Sequence, residues 1–367
     1  MIKGADMAFL FKKTTARRCA ALGLLAAVAM PALQASAKAP EKLFYMIGSV
    51  KSFNSFQNHI DKIDVVVPTW YNTDKDGLVS GNVDPRVLAI AHAHHVPVEP
   101  ILALMNHDDF HKLLGNPKAR HTMIESIVDQ AVTNHLDGIQ LDFEDVLWTD
   151  RDALSNFVRE IGTGLHAHHL RFSVAICPNA PGRPGAGAFG RWMWQYWRGS
   201  YDLKAIGAAT DYISLMTYDQ HTRWTAPGPV GGWPWMVENI EYAERFVPKE
   251  KISLGIPLYG YHWWAGDPVH KDGTTGPNIS ADYIDADESL PLAAQYHADI
   301  QWDSREHEAF FWFERDQLRE WIFLPLARSV RERYDYAKEN GLLGTSAWVL
   351  GAEDPATWDA LPATHGQ

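Results

Sequence analysis

Two carboxylic acids two residues apart, Asp142 and Glu144, form the most chemically suggestive pair in the chain. They close the stretch Asp137-Gly-Ile-Gln-Leu-Asp-Phe-Glu144. In a β-strand successive side chains point to opposite faces. Ile139, Leu141 and Phe143 then share one face, and Gln140, Asp142 and Glu144 share the other. An inward face does not normally carry two acids, because a buried charge must be paired or neutralised. The pair therefore marks either a solvated strand end or a reactive site. Along one strand the two backbones lie roughly 6.6 Å apart, so both acids approach a substrate from the same side. An ordinary glycosidase pair flanks the scissile bond from opposite sides. Here one acid can protonate the leaving oxygen, but its neighbour is badly placed as a nucleophile. An N-acetyl group on the substrate can fill that role. Its carbonyl oxygen attacks the anomeric carbon to give an oxazolinium-like intermediate, and the second acid orients the amide and stabilises its positive charge.

The elements that must position such a pair can be read from the hydrophobic pattern. Apolar strand candidates fall at residues 43–47, 63–67, 98–103, 138–143, 172–177, 212–216, 252–256 and 344–349. Helical patterns lie between most of them, at 85–94, 118–135, 151–168 and 236–245, with another at 315–340 before the last strand. Alternating strands and helices predict an α/β fold with a parallel sheet. Eight units predict a closed (β/α)8 TIM barrel, with a doubly wound open sheet as the alternative. Residues 264 to about 300, rich in Gly, Asp and Pro, predict a small insertion between strands 7 and 8. The aromatics concentrate after strands, where barrel active sites lie. Trp192, Trp194, Tyr196 and Trp197 follow the fifth, Trp224, Trp233 and Trp235 the sixth, and Tyr259, Tyr261, Trp263 and Trp264 the seventh. As a set they suit the apolar faces of sugar rings.

Residues 1–37 read as a secretory signal peptide. Lys12, Lys13, Arg17 and Arg18 precede an apolar run at 20–33 that is too short to span a bilayer, and Ala35-Ser36-Ala37 has the small-residue cleavage pattern. Residues 38–367 are then the single barrel domain, exported to the periplasm or beyond the cell. Cleavage would remove five basic residues against one acid, making the formal charge of −12 four units more negative. So acidic a protein argues against a nucleic-acid or anionic-membrane partner and favours a neutral polymer. Cleavage would also remove Cys19 and leave Cys177 alone, with no intrachain disulfide. The histidine clusters at 92–95 and 166–169 fall near helix ends, away from the strand tips, so neither a metal nor a cofactor is expected.

Asp137-Gly-x-x-x-Asp142-x-Glu144 resembles the signature of glycoside hydrolase family 18, the chitinase superfamily. Three further segments resemble that family's later strands in the same order: Ser214-Leu-Met-Thr-Tyr-Asp219, Lys251-Ile-Ser-Leu-Gly-Ile-Pro-Leu-Tyr-Gly260 and Gly344-Thr-Ser-Ala-Trp348. Residues 63–71, ending Pro68-Thr-Trp-Tyr71, resemble bacterial peptidoglycan and spore-cortex members and chitinase-domain relatives. The resemblance implies Glu144 as general acid/base, Asp142 as the acid that holds the acetamido group, and Tyr218 as the phenol bonded to its oxygen. It implies substrate contacts at Met216, Asp219, Trp348, Gln140, Tyr259 and Trp70, with Asp137 and Gly138 as structural members of the motif. Gln140 departs from the chitinase pattern, which usually has an acid there. A neutral amide cannot share a proton with Asp142, though it can donate a hydrogen bond. The implied activity is retaining, substrate-assisted hydrolysis of a β-linked N-acetylglucosamine glycan, peptidoglycan-like or chitin-like, by a monomer. The alternative is a non-catalytic, sugar-binding member of the same superfamily.

Overall fold

The computed structural model describes residues 39–265 and 279–364. The expected signal peptide, and residues 266–278 of the expected insertion, lie outside the described residues. Eight parallel strands follow one another: Glu41–Met46, Val65–Pro68, Ile101–Met105, Gly138–Glu144, Arg171–Ile176, Tyr212–Leu215, Ile252–Pro257 and Gly344–Trp348. The first pairs with the second and the eighth, and the eighth with the seventh. Parallel pairing continues from the seventh back to the third. The sheet closes where the Val66 N–H donates to Pro97 O and the Glu99 N–H to Val66 O, both at 3.0 Å. Beyond a break at Thr69 and Trp70 the second strand resumes as Tyr71–Asn72, parallel to the third. Closure excludes the open doubly wound alternative and makes the sheet a barrel.

The helices that return the chain between strands end in one recurrent way. After Pro85–Ala93, Pro117–Thr133, Arg151–His166 and Ala286–Gln295, a histidine takes up the left-handed conformation: His95, His135, His169 and His297, with φ from 50° to 59°. The next residue's N–H then turns back onto the helix, as Leu136 does to Ala131 O at 2.9 Å. This is the Schellman closure, which usually uses glycine. Gly341 fills that position after Ala327–Asn340, at φ 68°. The two histidine clusters noted in the sequence lie at such helix ends.

The fourth strand shows how the barrel is layered. Ile139, Leu141 and Phe143 are buried towards the helices, where the Phe143 ring meets Phe110 at 4.9 Å and Phe157 at 6.4 Å. Its other face enters a polar interior. Gln140 Oε1 accepts from Tyr45 Oη at 2.6 Å, and its Nε2 donates to Ser173 Oγ at 3.0 Å. Tyr45 Oη also lies 2.7 Å from Ser214 Oγ, so strands one, four, five and six are tied through one amide. Below, Arg171 bridges Glu41 and the buried Glu99 at 2.9 and 3.0 Å, and Tyr212 Oη donates to Glu99 at 2.7 Å.

The insertion is larger than the sequence predicts. It is a five-stranded antiparallel sheet of Gly260–Ala265, Ile279–Ile284, Gln301–Asp303, Glu308–Arg315 and Leu318–Leu324. Helix Ala286–Gln295 covers one face, over Ile284, Phe311, Phe313, Ile322 and Leu324. The helical pattern assigned to 315–340 divides accordingly: Leu318–Leu324 is a strand, and only Ala327–Asn340 is helix. Pairing with Glu308–Arg315 decides the strand, because it lets Ile322 and Leu324 reach the small core. The sheet is fastened to the barrel by Glu308. Its carboxylate accepts from the Val230 and Gly231 N–H groups at 2.8 and 3.3 Å, and Arg333, also buried, donates to Gly231 O.

Candidate active site

A cavity of about 300 Å³ opens at the C-terminal ends of the barrel strands. Its walls include Asp142 and Glu144 from the fourth strand, Met216, Tyr218 and Asp219 after the sixth, Tyr259 after the seventh and Trp348 from the eighth. Tyr45, Met105, Trp197 and Tyr283 complete much of the lining. The same alternation that buries Phe143 outward sends Asp142 and Glu144 into this cavity.

Asp142 is buried, and its Oδ1 has no hydrogen-bond partner among the described residues. Burial raises its pKa to about 6. Glu144 is raised further, first by burial and then by the charge of Asp142 beside it. A raised carboxyl keeps its proton near neutrality, as a general acid must. The Cys177 thiol reaches Glu144 Oε2 at 3.5 Å. One residue beyond Glu144 the chain turns through Asp145 at φ 54°, a conformation that aspartate tolerates better than most residues. The Asp145 carboxylate is held by His107, from its ring Nδ1 at 2.8 Å and its backbone N–H at 3.3 Å, at the start of helix His107–Gly115. The acid is thus anchored from the strand below and from the turn above.

Asp219 is a third carboxylate in the cavity. It is open to solvent on the cavity side, while the protein around it raises its pKa. Its Oδ1 accepts from Tyr259 Oη at 2.5 Å and Tyr261 Oη at 3.2 Å. Two phenol donors on one oxygen leave it poorly suited to attack a substrate carbon. The Trp348 ring lies 5.2 Å from that of Tyr45 and forms the floor between the first and eighth strands. Tyr218 is buried with its ring edge-on to Tyr259.

The remaining expected residues lie elsewhere. Gln140 is fully buried beneath the cavity and holds strands together instead of lining it. Trp70 packs partly buried against the barrel core at the break in the second strand and is absent from the cavity wall. Asp137 receives the Val98 N–H at 2.8 Å. At Gly138 a Cβ would come within 2.4 Å of Arg171 O, so the strands could not pair as closely with any other residue. Of the loop aromatics, Trp197 reaches the cavity, and Trp192, 42% exposed, lies tilted against it at 6.3 Å. Trp233 instead stacks on His307 of the insertion at 4.2 Å. Tyr45 and Tyr283 carry no motif in the sequence. Tyr283 reaches the cavity because its strand pairs with Gly260–Ala265, placing it opposite Tyr261.

Comparison with known proteins agrees with this geometry. An "Uncharacterized glycosylase YvbX" of Bacillus subtilis is 23% identical over 331 residues, covering 86% of this chain and 89% of the relative. A "Cortical fragment-lytic enzyme" of the same species is 30% identical over 247 residues, covering 67% of this chain. The chain spans about half the length of that relative (54%). Among solved structures, a chitinase from Chromobacterium violaceum superposes with a TM-score of 0.76 at 28% identity, over 88% of this chain and 98% of the other. The spore cortex-lytic enzyme SleL of Bacillus megaterium shares the fold with a TM-score of 0.76 at 24% identity, over 89% and 75%. The family model "Glycosyl hydrolases family 18" matches residues 45–353, nearly the whole barrel with the cavity acids Asp142, Glu144 and Asp219. The chain belongs to glycoside hydrolase family 18, and its chemistry is that of a glycosidase.

Proposed function

We propose that the protein hydrolyses β-linked N-acetylglucosamine-containing glycans, peptidoglycan-like or chitin-like, with retention at the anomeric carbon and with the substrate's acetamido group as nucleophile. The observation that carries this reading is the orphaned Oδ1 of Asp142, buried in the cavity beside Glu144. A buried carboxylate oxygen without a donor calls for one from the substrate, and an acetamido N–H supplies it. Protonated Glu144 gives its proton to the glycosidic oxygen as the C1–O bond breaks. The acetamido oxygen forms the new bond to C1, giving a bicyclic oxazolinium ion whose charge Asp142 balances. The Tyr218 phenol steadies the acetamido oxygen, and Trp348 supports the sugar ring. The leaving sugar departs, and Glu144, now a carboxylate, takes a proton from the water that attacks C1 as the bond from C1 to the acetamido oxygen breaks and the acetamide is restored. Two inversions at C1 restore the starting configuration. Export of the mature chain belongs to the same proposal. It rests on the expected signal peptide at residues 1–37 and on the location of a wall or chitin polymer outside the cytoplasm.

The test is product analysis by mass spectrometry after digestion of peptidoglycan and of chitin oligomers, with the first-formed anomer read by NMR. Retained configuration, with turnover lowered roughly 10²–10⁴-fold in Glu144→Gln at unchanged binding, is the expected outcome. Full activity in that variant, or an inverted first product, would overturn the proposal. Binding of the oligosaccharides with no product from the unmodified protein would instead identify a lectin.

A further inference from the structure

We infer that the Cys177 thiol is a positioning residue for Glu144, holding one carboxylate oxygen and favouring the form that has given up its proton. The inference rests on the proposal that Glu144 is the general acid. Cys177 directly follows the fifth strand, Arg171–Ile176, beside the fourth strand that carries Glu144. Its Sγ lies 3.5 Å from Glu144 Oε2, within reach of an S–H donor, and the side chain is buried. Tyr201 decides where the thiol proton goes. Tyr201 Oη donates to Phe143 O at 2.8 Å and also faces Cys177 Sγ as a donor at 3.7 Å. With that hydroxyl turned to the sulfur as a donor, the thiol's own proton is left for Glu144 Oε2. Tyr201 pins the backbone one residue before the acid while Cys177 holds the acid's side chain.

Burial, with Glu144 and Asp142 nearby, pushes the Cys177 thiol well above its ordinary pKa, so it keeps its proton and remains a donor. A donor to a carboxylate favours the ionised form. The other groups around Glu144 do not. Asp142 on its own strand and Asp219 beyond the sixth raise it by their charge. The hydroxyls of Tyr45, Tyr201, Tyr218 and Tyr283 are all raised by burial and stay neutral. Arg198, half-buried in the segment after the fifth strand, interacts electrostatically with the thiol. Cys177 therefore counters a site that otherwise drives Glu144 towards its protonated form. That matters for the second half of the cycle, when Glu144 must act as a carboxylate base.

The experiment compares Cys177→Ala and Cys177→Ser with the unmodified protein. The kcat–pH profile is measured together with a ¹³C-carboxyl NMR titration of glutamate-labelled protein, the Glu144 signal being assigned by its loss in Glu144→Gln. Removing the donor in Cys177→Ala is expected to move the Glu144 midpoint and the alkaline limb of kcat upward by about half a pH unit to one unit. The stronger O–H donor of Cys177→Ser is expected to move both downward, with KM and the melting temperature near those of the unmodified protein. A packing role alone would not send the two variants in opposite directions. Shifts of the same sign, or no shift in the titration, overturn the inference. If the unmodified protein hydrolyses none of the glycans, the hydrolase proposal fails, and the titration still decides the role of Cys177.

Discussion

As the proposed general acid, Glu144 has to bind a proton firmly enough to hold it at the start of a turnover and loosely enough to lose it to a glycosidic oxygen. Burial and the Asp142 charge supply the first requirement, and the orphaned Asp142 oxygen supplies a reason for Asp142 to be there at all. Because the acid is needed protonated, activity is lost as pH rises through the raised pKa of Glu144. Asp142→Asn removes the charge that raises it, so the alkaline limb of kcat should move to lower pH. The same change should lower kcat by roughly 10²-fold or more, the scale of losing one stabilising group in an acyl- or glycosyl-type transition state. A pH–rate profile of that variant checks both, and an unmoved limb would mean that Asp142 does not act on Glu144 through its charge. Asp142, Glu144, Tyr218, Asp219 and Trp348 were legible in the sequence because each ends or follows a strand within a contiguous motif. Tyr45 and Tyr283 were not. Each is a lone tyrosine in a strand, and only the pairing of distant strands brings it to the cavity. Trp70 stands apart from the cavity lining for the converse reason: it follows a strand in sequence, but the strand breaks there and the ring packs against the core.

At the scale of elements, the barrel strands were legible because parallel strands covered by helices read as short apolar runs. The insertion was less so. Leu318–Leu324 runs into helix Ala327–Asn340 after only two residues, and its alternation shows only against its antiparallel partner. The helix ends offer the clearest element-scale prediction. His135 is exposed and left-handed, holding a position that glycine occupies without strain. Its ring makes no contact that the turn needs, since the closing bond comes from the Leu136 N–H. His135→Gly should therefore stabilise the fold by about 1 kcal/mol, measured as a raised urea midpoint at unchanged slope. A lowered midpoint would show that the ring itself supports the turn.

For the molecule as a whole, the notable feature is how much of its interior is polar yet tied. The Gln140 amide links four strands of the barrel, and the Arg171 pair with Glu99 and Glu41 closes the layer beneath. Glu308 and Arg333 repeat the device between insertion and barrel, where two buried charges are satisfied mainly by the backbone at Val230 and Gly231. Such groups contribute less to net stability than to fixing one arrangement, because each would be costly if left unpaired. In the cavity wall, Tyr259 and the insertion's Tyr261 are tied in the same manner, both donating to Asp219.

The barrel is nevertheless not uniform around its circumference. Most junctions carry an unbroken ladder, but between the second and third strands the ladder is interrupted at Thr69 and Trp70 and resumes only for Tyr71–Asn72. A ring fails where it is least laced. Local opening should begin at this seam, so that the Val66 and Glu99 amides take up deuterium sooner than Leu254 or Ala347 on the far side. In a native-state exchange experiment the fourth strand, which carries Asp142 and Glu144 one strand removed from the seam, would then stay protected while its neighbour breathes. Uniform protection around the barrel would show that the interior network, and not the ladder, sets how the ring comes apart.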